Sequence, residues 1–333
     1  MFRDNRCERA VQAQAPRSNY SRRGPPVWLM TETIEFAKLS GSGNDFICLD
    51  SRDGRFNELL SSPHRAGHFA RVLCCRGMGV GADGVIFAVD SEVEGAANLG
   101  ARFFEPDGSE AALCGNGTAC FLRWVVDNRW VLEPEIRILT SAGVVLGKPA
   151  DDGFMRVCIP LPEDIRTDLE VPAGGVRWKC DYIVTGVPHL VTYVDDVEAV
   201  DVAHFGKALR RSEMFAPPGV NADFVQVLGQ GRLALRTFEY GVEDETLACG
   251  TGSAGAAILT ARRFAWPREY LTGERAILVQ ARSGDLLRVY VTMDDGGLVS
   301  DLCLETVVRF LYQGTIHGDL AARAMNASQA SAQ

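Results

Sequence analysis

Two segments of this chain repeat one another. Phe104-Glu105 leads to Cys114-Gly115-Asn116-Gly117, and Phe238-Glu239 leads to Cys249-Gly250-Thr251-Gly252. In each, a cysteine sits on a Gly-x-Gly turn, followed by an apolar, helix-forming run, Ala119 to Val126 and Ala254 to Leu259. A duplicated turn of this kind constrains the chain to two related halves. A cysteine at a helix N-terminus lies against the positive end of the macrodipole, beside unpaired N–H groups. That setting is expected to favour the thiolate and lower the thiol pKa. Two such cysteines point to a pair of acid/base thiols facing one substrate.

Around these turns the pattern is strand-rich. Short β-branched and aromatic runs bounded by Gly, Asp or Pro predict strands at 34–38, 46–49, 84–89, 101–105, 136–140, 154–159, 181–185, 190–194, 223–228, 232–238, 276–280 and 286–293. Helices are predicted at 66–75, 116–127, 198–211 and 251–265. The Gly- and Asp-rich stretch 147–153 reads as the boundary between halves. The expected organisation is a tail at 1–30, an N-terminal domain at 31–150 and a C-terminal domain at 151–300. A strand at 301–315, about 302–313, should return to the first domain, ahead of a tail at 316–333. Residues 1–30 hold six arginines and a Gly-Pro-Pro break without apolar periodicity, and read as disordered. Met30 is a candidate start, immediately before the first patterned strand. The small, polar stretch Ala321–Gln333 is expected to fray.

Composition narrows the classes. A net charge of −9 and a pI near 5.2 argue against a nucleic-acid partner. No apolar run approaches the roughly 20 residues of a membrane-spanning helix. The ten cysteines are scattered along 333 residues with no secretory h-region before them, which favours a reduced, cytoplasmic setting. Cys74-Cys75 lacks the spaced partners of a zinc site, so no metal is expected. Cys48, Cys74, Cys75, Cys120, Cys158, Cys180 and Cys303 read as small buried apolar residues. His64, His68, His204 and His317 read as structural. Gly41-Ser42-Gly43 has neither the Gly-Lys-Ser/Thr nor the following helix of a phosphate loop.

Six motifs together resemble the diaminopimelate epimerase family, the cofactor-independent amino-acid racemases and epimerases. They are Leu39–Phe46 (LSGSGNDF), Gly81–Ile86 (GADGVI), Asp107–Cys120 (DGSEAALCGNGTAC), Gly186–His189 (GVPH), Val220–Phe224 (VNADF) and Glu243–Ala254 (EDETLACGTGSA). The resemblance runs from about Thr33 to about Gly314. It implies an α+β fold of two similar domains, each a barrel-like sheet around a central helix, with the site in the cleft between them. A homodimer is compatible with it, and the partner it implies is a small-molecule amino acid.

The chemistry explains the residue types. Inverting an α-carbon removes a proton from one face and delivers one to the other. The lysines, Lys38, Lys148, Lys179 and Lys207, lie in unremarkable contexts, so no Schiff-base cofactor is signalled. The developing carbanion must then be stabilised electrostatically in a dry cavity. Two helix N-termini converging on the α-carboxylate would supply this through the N–H groups of Gly115, Asn116, Gly250 and Thr251. Cys114 and Cys249 are expected on opposite faces, one as thiolate and the other as thiol. The resemblance implies His189 and Glu239 as their proton-setting partners, and Asn44 as a substrate contact.

Three positions depart from the family. Val187 stands where the family carries asparagine before Pro188, and Tyr240 where it carries arginine after the glutamate. Glu105 stands where it carries asparagine nine residues before the first cysteine; Asn221 is retained. Tyrosine cannot replace an arginine fork for a distal carboxylate, and Glu105 would repel one. The expected substrate is therefore an amino acid other than diaminopimelate, with an apolar stem and a cationic or donor tip. The alternatives are an ordinary diaminopimelate epimerase and, in another class, a non-catalytic amino-acid-binding protein. A cysteine hydrolase would need one nucleophile and an oxyanion hole rather than two equivalent thiols.

Overall fold

A computed structural model describes residues 33–326 apart from 92–94, 96 and 218. The predicted N-terminal tail therefore lies outside the described residues. Strands and helices are labelled in chain order as they are introduced. In the first half, eight strands close a barrel. Seven of them are β1 (Ile34–Gly41), β2 (Asn44–Asp50), β3 (Gly84–Val89), β4 (Leu99–Phe104), β6 (Ile136–Thr140), β7 (Gly143–Pro149) and β8 (Phe154–Cys158), while the short β5 (Glu110–Ala111) lies beside β4 outside the ring. The eighth barrel strand is the last of the chain, β17 (Val299–Ile316), which pairs with both β8 and β1. The second half continues through β9 (Glu163–Ala173), β10 (Val176–Val184), β11 (Pro188–Tyr193), β12 (Asn221–Gly229), β13 (Arg232–Glu239), the short β14 (Asp244–Thr246), β15 (Ile277–Gln280) and β16 (Leu286–Met293).

The duplication inferred from the two turns is written in the pairing. β2 runs parallel to β3 as β11 does to β12, and β4 runs parallel to β6 as β13 does to β15. Short β5 lies antiparallel on β4 just as β14 lies on β13. The fold is thus α+β with two similar barrel-like sheets, as the sequence led us to expect. The halves also exchange their last strands. After β8 the chain crosses to pair as β9 with β10, and β17 crosses back to pair with β1.

Of the helices, α1 (Pro63–Cys74) packs outside the first barrel, and α2 (Gly115–Asp127) runs through its core. The second half has α3 (Val202–Arg210) outside and α4 (Gly250–Arg263) within. Helix α2 buries Phe121 and Leu122 completely, each contributing about 2 kcal/mol of apolar burial. Helix α4 is built of small residues because its sheet wraps close: a Cβ on Gly255 would lie 2.8 Å from Ile183 Cγ2.

Several sequence expectations are corrected. The boundary placed at 147–153 begins inside a strand, since β7 runs to Pro149 and only Asp151–Gly153 form a turn. Strand β9 escaped the sequence pattern because it is an exposed, charged strand. Asp164 and Asp168 adopt positive φ along it, and its pairing with β10 shifts register twice, so no period-2 alternation survives. The expected helix 198–211 starts only at Val202, where Asp201 accepts a hydrogen bond from the His204 N–H at 3.0 Å. The C-terminal stretch expected to fray contains helix α5 (Gly318–Met325), which buries Ala321 and Ala324 against α1; residues 327–333 lie outside the described residues.

Cys48, Cys74, Cys120 and Cys180 are buried free thiols. Cys75 is instead half-buried. Cys158 and Cys303 are not thiols at all: they face one another across β8 and β17 and form a disulfide. Sequence cannot show that pairing, because the 145 residues between them are closed into register only by the strand exchange. Lys38, unremarkable in sequence, is a buried cation that holds Asp45 at 2.9 Å and the Gly81 carbonyl. Arg76 adds bonds to Asp45 and Asp83 at 2.6 and 2.9 Å. Burial works against the Asp45 charge, yet hydrogen bonds from Arg76 and Lys38 outweigh it and hold its pKa below the ordinary carboxylate value. This network anchors the loop that carries Asn44.

Candidate active site

Cys114 and Cys249 are the N-cap residues of α2 and α4. Each has extended backbone dihedrals, and each sulfur accepts the N–H two residues into its helix, Gly117 and Gly252, at 3.4 Å. The Gly115, Asn116, Gly250 and Thr251 N–H groups belong to the first turns, where no intrahelical carbonyl is available. The two turns meet. Asn116 Nδ2 donates to the Ala248 carbonyl at 3.4 Å and to Asn44 Oδ1 at 3.5 Å. Asn116 Oδ1 is buried and accepts no hydrogen bond from the protein.

The expectation that the helix termini alone would lower the thiol pKa values is not met. Burial pushes the Cys114 thiol up to about 12, with the Glu105 charge adding to it, against weaker help from the Gly117 N–H. Burial, followed by the Glu239 and Asp223 charges, likewise raises Cys249 well above the ordinary thiol value. Both cysteines therefore rest as thiols. Loss of hydration costs more than two partial N–H charges return.

His189 and Glu239 stand at Cys249. His189 is fully buried on β11, its Nδ1 2.7 Å from Asp223 Oδ2 and its Nε2 2.9 Å from Thr251 Oγ1. Thr251 Oγ1 is in turn 3.5 Å from the Cys249 sulfur. Glu239, at the end of β13, accepts from Thr246 Oγ1 at 2.5 Å. Burial raises its pKa against the hydrogen bonds from Thr246 and Cys249. Its charge also acts on Cys114 and on Glu105, across the junction of the two turns.

Of the three departing positions, Glu105 acts on Cys114 and feels Glu239, and the Tyr240 N–H bonds Asn221 beside His189. Burial, then the charge of Glu239, pushes the Glu105 carboxyl up to about 7. Among the described residues it has no hydrogen-bond or ion-pair partner. Val187 and Tyr240 are 40% and 46% exposed, high for apolar side chains. The Arg210 guanidinium lies 4.4 Å from the Tyr240 ring centre and pairs with Glu243 at 2.7 Å. Asn221 is already engaged: its Oδ1 accepts the Tyr240 N–H at 2.7 Å, and its Nδ2 stands 3.5 Å from His189 Nε2. Asp223 and Thr237 were not read from the sequence as site residues. The signal available was an ionisable residue inside the otherwise apolar run Ala222–Val225. One group of three potential metal ligands occurs among the described residues, Cys158, Asp301 and Cys303, and its two sulfurs are joined to each other.

The family model described as diaminopimelate epimerase matches residues 36–157 and 182–298, and so takes in both cysteine turns. This chain belongs to the diaminopimelate epimerase family. The diaminopimelate epimerase of Aquifex aeolicus is 36% identical over 266 residues, covering 78% of this chain and 91% of its own. That of Methanocella arvoryzae is 34% identical over 300 residues, covering 87% and 99%. Among solved structures, a hydroxyproline epimerase from Agrobacterium vitis superposes with a TM-score of 0.66 at 14% identity, covering 90% of this chain and 99% of its own. A PhzF-family phenazine biosynthesis protein from Bacillus anthracis gives 0.64 at 16%, covering 86% and 99%. These two show the shared fold. Within the family the chain is an isomerase of the racemase and epimerase class. No described helix is long and apolar enough to cross a membrane.

Proposed function

We propose that this chain inverts the α-carbon of an amino acid other than diaminopimelate, one with a cationic side chain, using Cys114 and Cys249 as the two acid/base thiols. The observation that carries the substrate reading is Glu105, a partly buried carboxyl with no hydrogen-bond or ion-pair partner among the described residues. Its carboxyl feels the charge of Glu239, and among the described residues neither is paired with a lysine or arginine. A site with two unpaired carboxylates favours a substrate bearing a second positive charge and penalises a distal carboxylate. Val187 and Tyr240 offer apolar surface for the stem of such a side chain. Asn116 Oδ1, a buried acceptor without a donor, suits the α-ammonium group.

In this reading the α-carboxylate lies across the first N–H groups of α2 and α4, where the helix dipoles stabilise charge spreading into it from the carbanion. One thiol, deprotonated by its partner, takes the α-proton while the other delivers its own to the opposite face. His189 and Glu239 supply and accept the proton that sets these states. Incubation with a panel of amino acids in deuterated water, followed by α-proton exchange, tests the proposal. Exchange with lysine, arginine or histidine and little with diaminopimelate is the expected result. Efficient turnover of diaminopimelate would replace this reading with the ordinary family reaction, and the absence of exchange with every amino acid would favour a binding protein.

A further inference from the structure

We infer that Asp223 is a positioning residue that fixes the tautomer of His189 and thereby arms Cys249 through the hydroxyl of Thr251. The inference rests on the two-thiol reading above and assigns to Cys249 a relay that Cys114 lacks.

The geometry runs in one line. Asp223 and His189 are both fully buried, on neighbouring parallel strands, with His189 opposite Asn221 in the register. Asp223 Oδ2 is 2.7 Å from His189 Nδ1, and its Oδ1 accepts from Thr237 Oγ1 at 2.6 Å. An ionised carboxylate only accepts, so Nδ1 must carry the ring proton. Nε2 is then the acceptor, with the Thr251 hydroxyl at 2.9 Å and the Asn221 amide farther off at 3.5 Å, and the Cys249 sulfur lies 3.5 Å from Thr251 Oγ1. The Cys249 S–H proton passes to Thr251 Oγ1 as the threonine hydroxyl proton passes to His189 Nε2. This leaves a thiolate and an imidazolium, and the imidazolium is paired with the Asp223 carboxylate. Charge is conserved, and no further reactant is needed. The other ionisable group facing this line is Glu239, whose charge acts on both His189 and Cys249.

Packing supports a built arrangement. A Cβ on Gly252 would lie 2.8 Å from Asp223 Oδ1, 3.2 Å from His189 Cε1 and 3.3 Å from the Cys249 sulfur. Only glycine lets the start of α4 settle directly onto the Asp–His pair. Among the described residues the Cys114 sulfur has no histidine or hydroxyl partner. Direct repulsion does not distinguish the two thiols, since Glu105 raises Cys114 as Glu239 and Asp223 raise Cys249, and the relay must outweigh that repulsion.

The test is the rate of iodoacetamide alkylation at Cys249 and Cys114, resolved by peptide mapping near neutral pH, so it needs no substrate. Asp223→Asn should slow alkylation of Cys249 by about tenfold or more, the equivalent of at least one unit of thiol pKa, and leave Cys114 unchanged. His189→Gln should slow Cys249 similarly, and the double variant should be no slower than His189→Gln alone, because Asp223 acts through the ring. Unchanged Cys249 reactivity in Asp223→Asn, equal slowing at both cysteines, or additive effects in the double variant would each overturn the inference. If Asp223→Asn does not fold, Thr237→Val removes one hydrogen bond from the same carboxylate and must still slow Cys249 selectively; no change there overturns it too. Selective Cys249 activation in a protein that exchanges no amino-acid α-proton would keep this relay and refute the proposed reaction instead.

Discussion

Asn116 Nδ2 donates a hydrogen bond to the carbonyl of Ala248, 3.4 Å away. The helix start behind the first turn cysteine is thus tied to the residue immediately before the second. Residues 132 apart in sequence are held as one polar surface, and the consequences for reactivity can be tested.

Inversion requires a base on each face. Cys114→Ala and Cys249→Ala should each lower racemisation at least about a hundredfold, the scale of a lost general acid or base. Cys120 is buried more than one helical turn beyond Cys114 along α2. Cys120→Ala should keep activity at a stability cost of about 1 kcal/mol. Racemase assays with thermal denaturation of each variant check both statements.

Oxidation should inactivate the enzyme reversibly. If the two turn cysteines face one α-carbon, they are close enough to form a disulfide in the empty site, and reductant should restore activity by thiol exchange. Peptide mapping after oxidation should find Cys114 joined to Cys249, in addition to the Cys158–Cys303 bridge. Free thiols at both turns alongside full activity would show that they are not neighbours.

Substrate choice should hinge on Glu105. Charge-assisted hydrogen bonds are worth roughly 1.5–3 kcal/mol each, so Glu105→Gln should cut kcat/KM for a cationic amino acid by ten- to a hundredfold or so. A neutral amino acid should be much less affected. Comparison of the two substrates in both proteins measures this; equal losses would show that Glu105 does not read the side chain.

The same carboxyl makes a prediction about pH. Its ordinary pKa of 4.5 is pushed up to about 7 by burial and by Glu239. The folded protein therefore binds this proton more tightly than the unfolded chain does. The stability linked to it is fully present below the unfolded pKa and is lost as pH rises through the folded value. Melting temperatures should fall between about pH 4.5 and 7 in the wild type, and this part of the fall should vanish in Glu105→Gln. A cationic substrate should also bind more tightly as pH rises through 7, because Glu105 then becomes charged. Parallel pH profiles for the two proteins would remove Glu105 from both roles.

What the sequence determined by itself was the local chemistry and its doubling. The Gly-x-Gly turns fix where the inner helices begin, because a cysteine followed by small residues can cap a helix without steric cost, and the strands β6 and β16 fall where alternation places them. The repeat also foretold two halves of one architecture. Only the tertiary structure decided the rest, because it depends on what lies beside each group rather than before or after it. The return of β17 to β1 and β8 is set by pairing across more than a hundred residues, and it creates the Cys158–Cys303 contact. The thiol pKa values reverse the expectation drawn from the helix termini, since burial is a property of the assembled cleft. Asp223 became visible as a partner of His189 only when parallel pairing of β11 and β12 set the two side chains against each other in the buried interior.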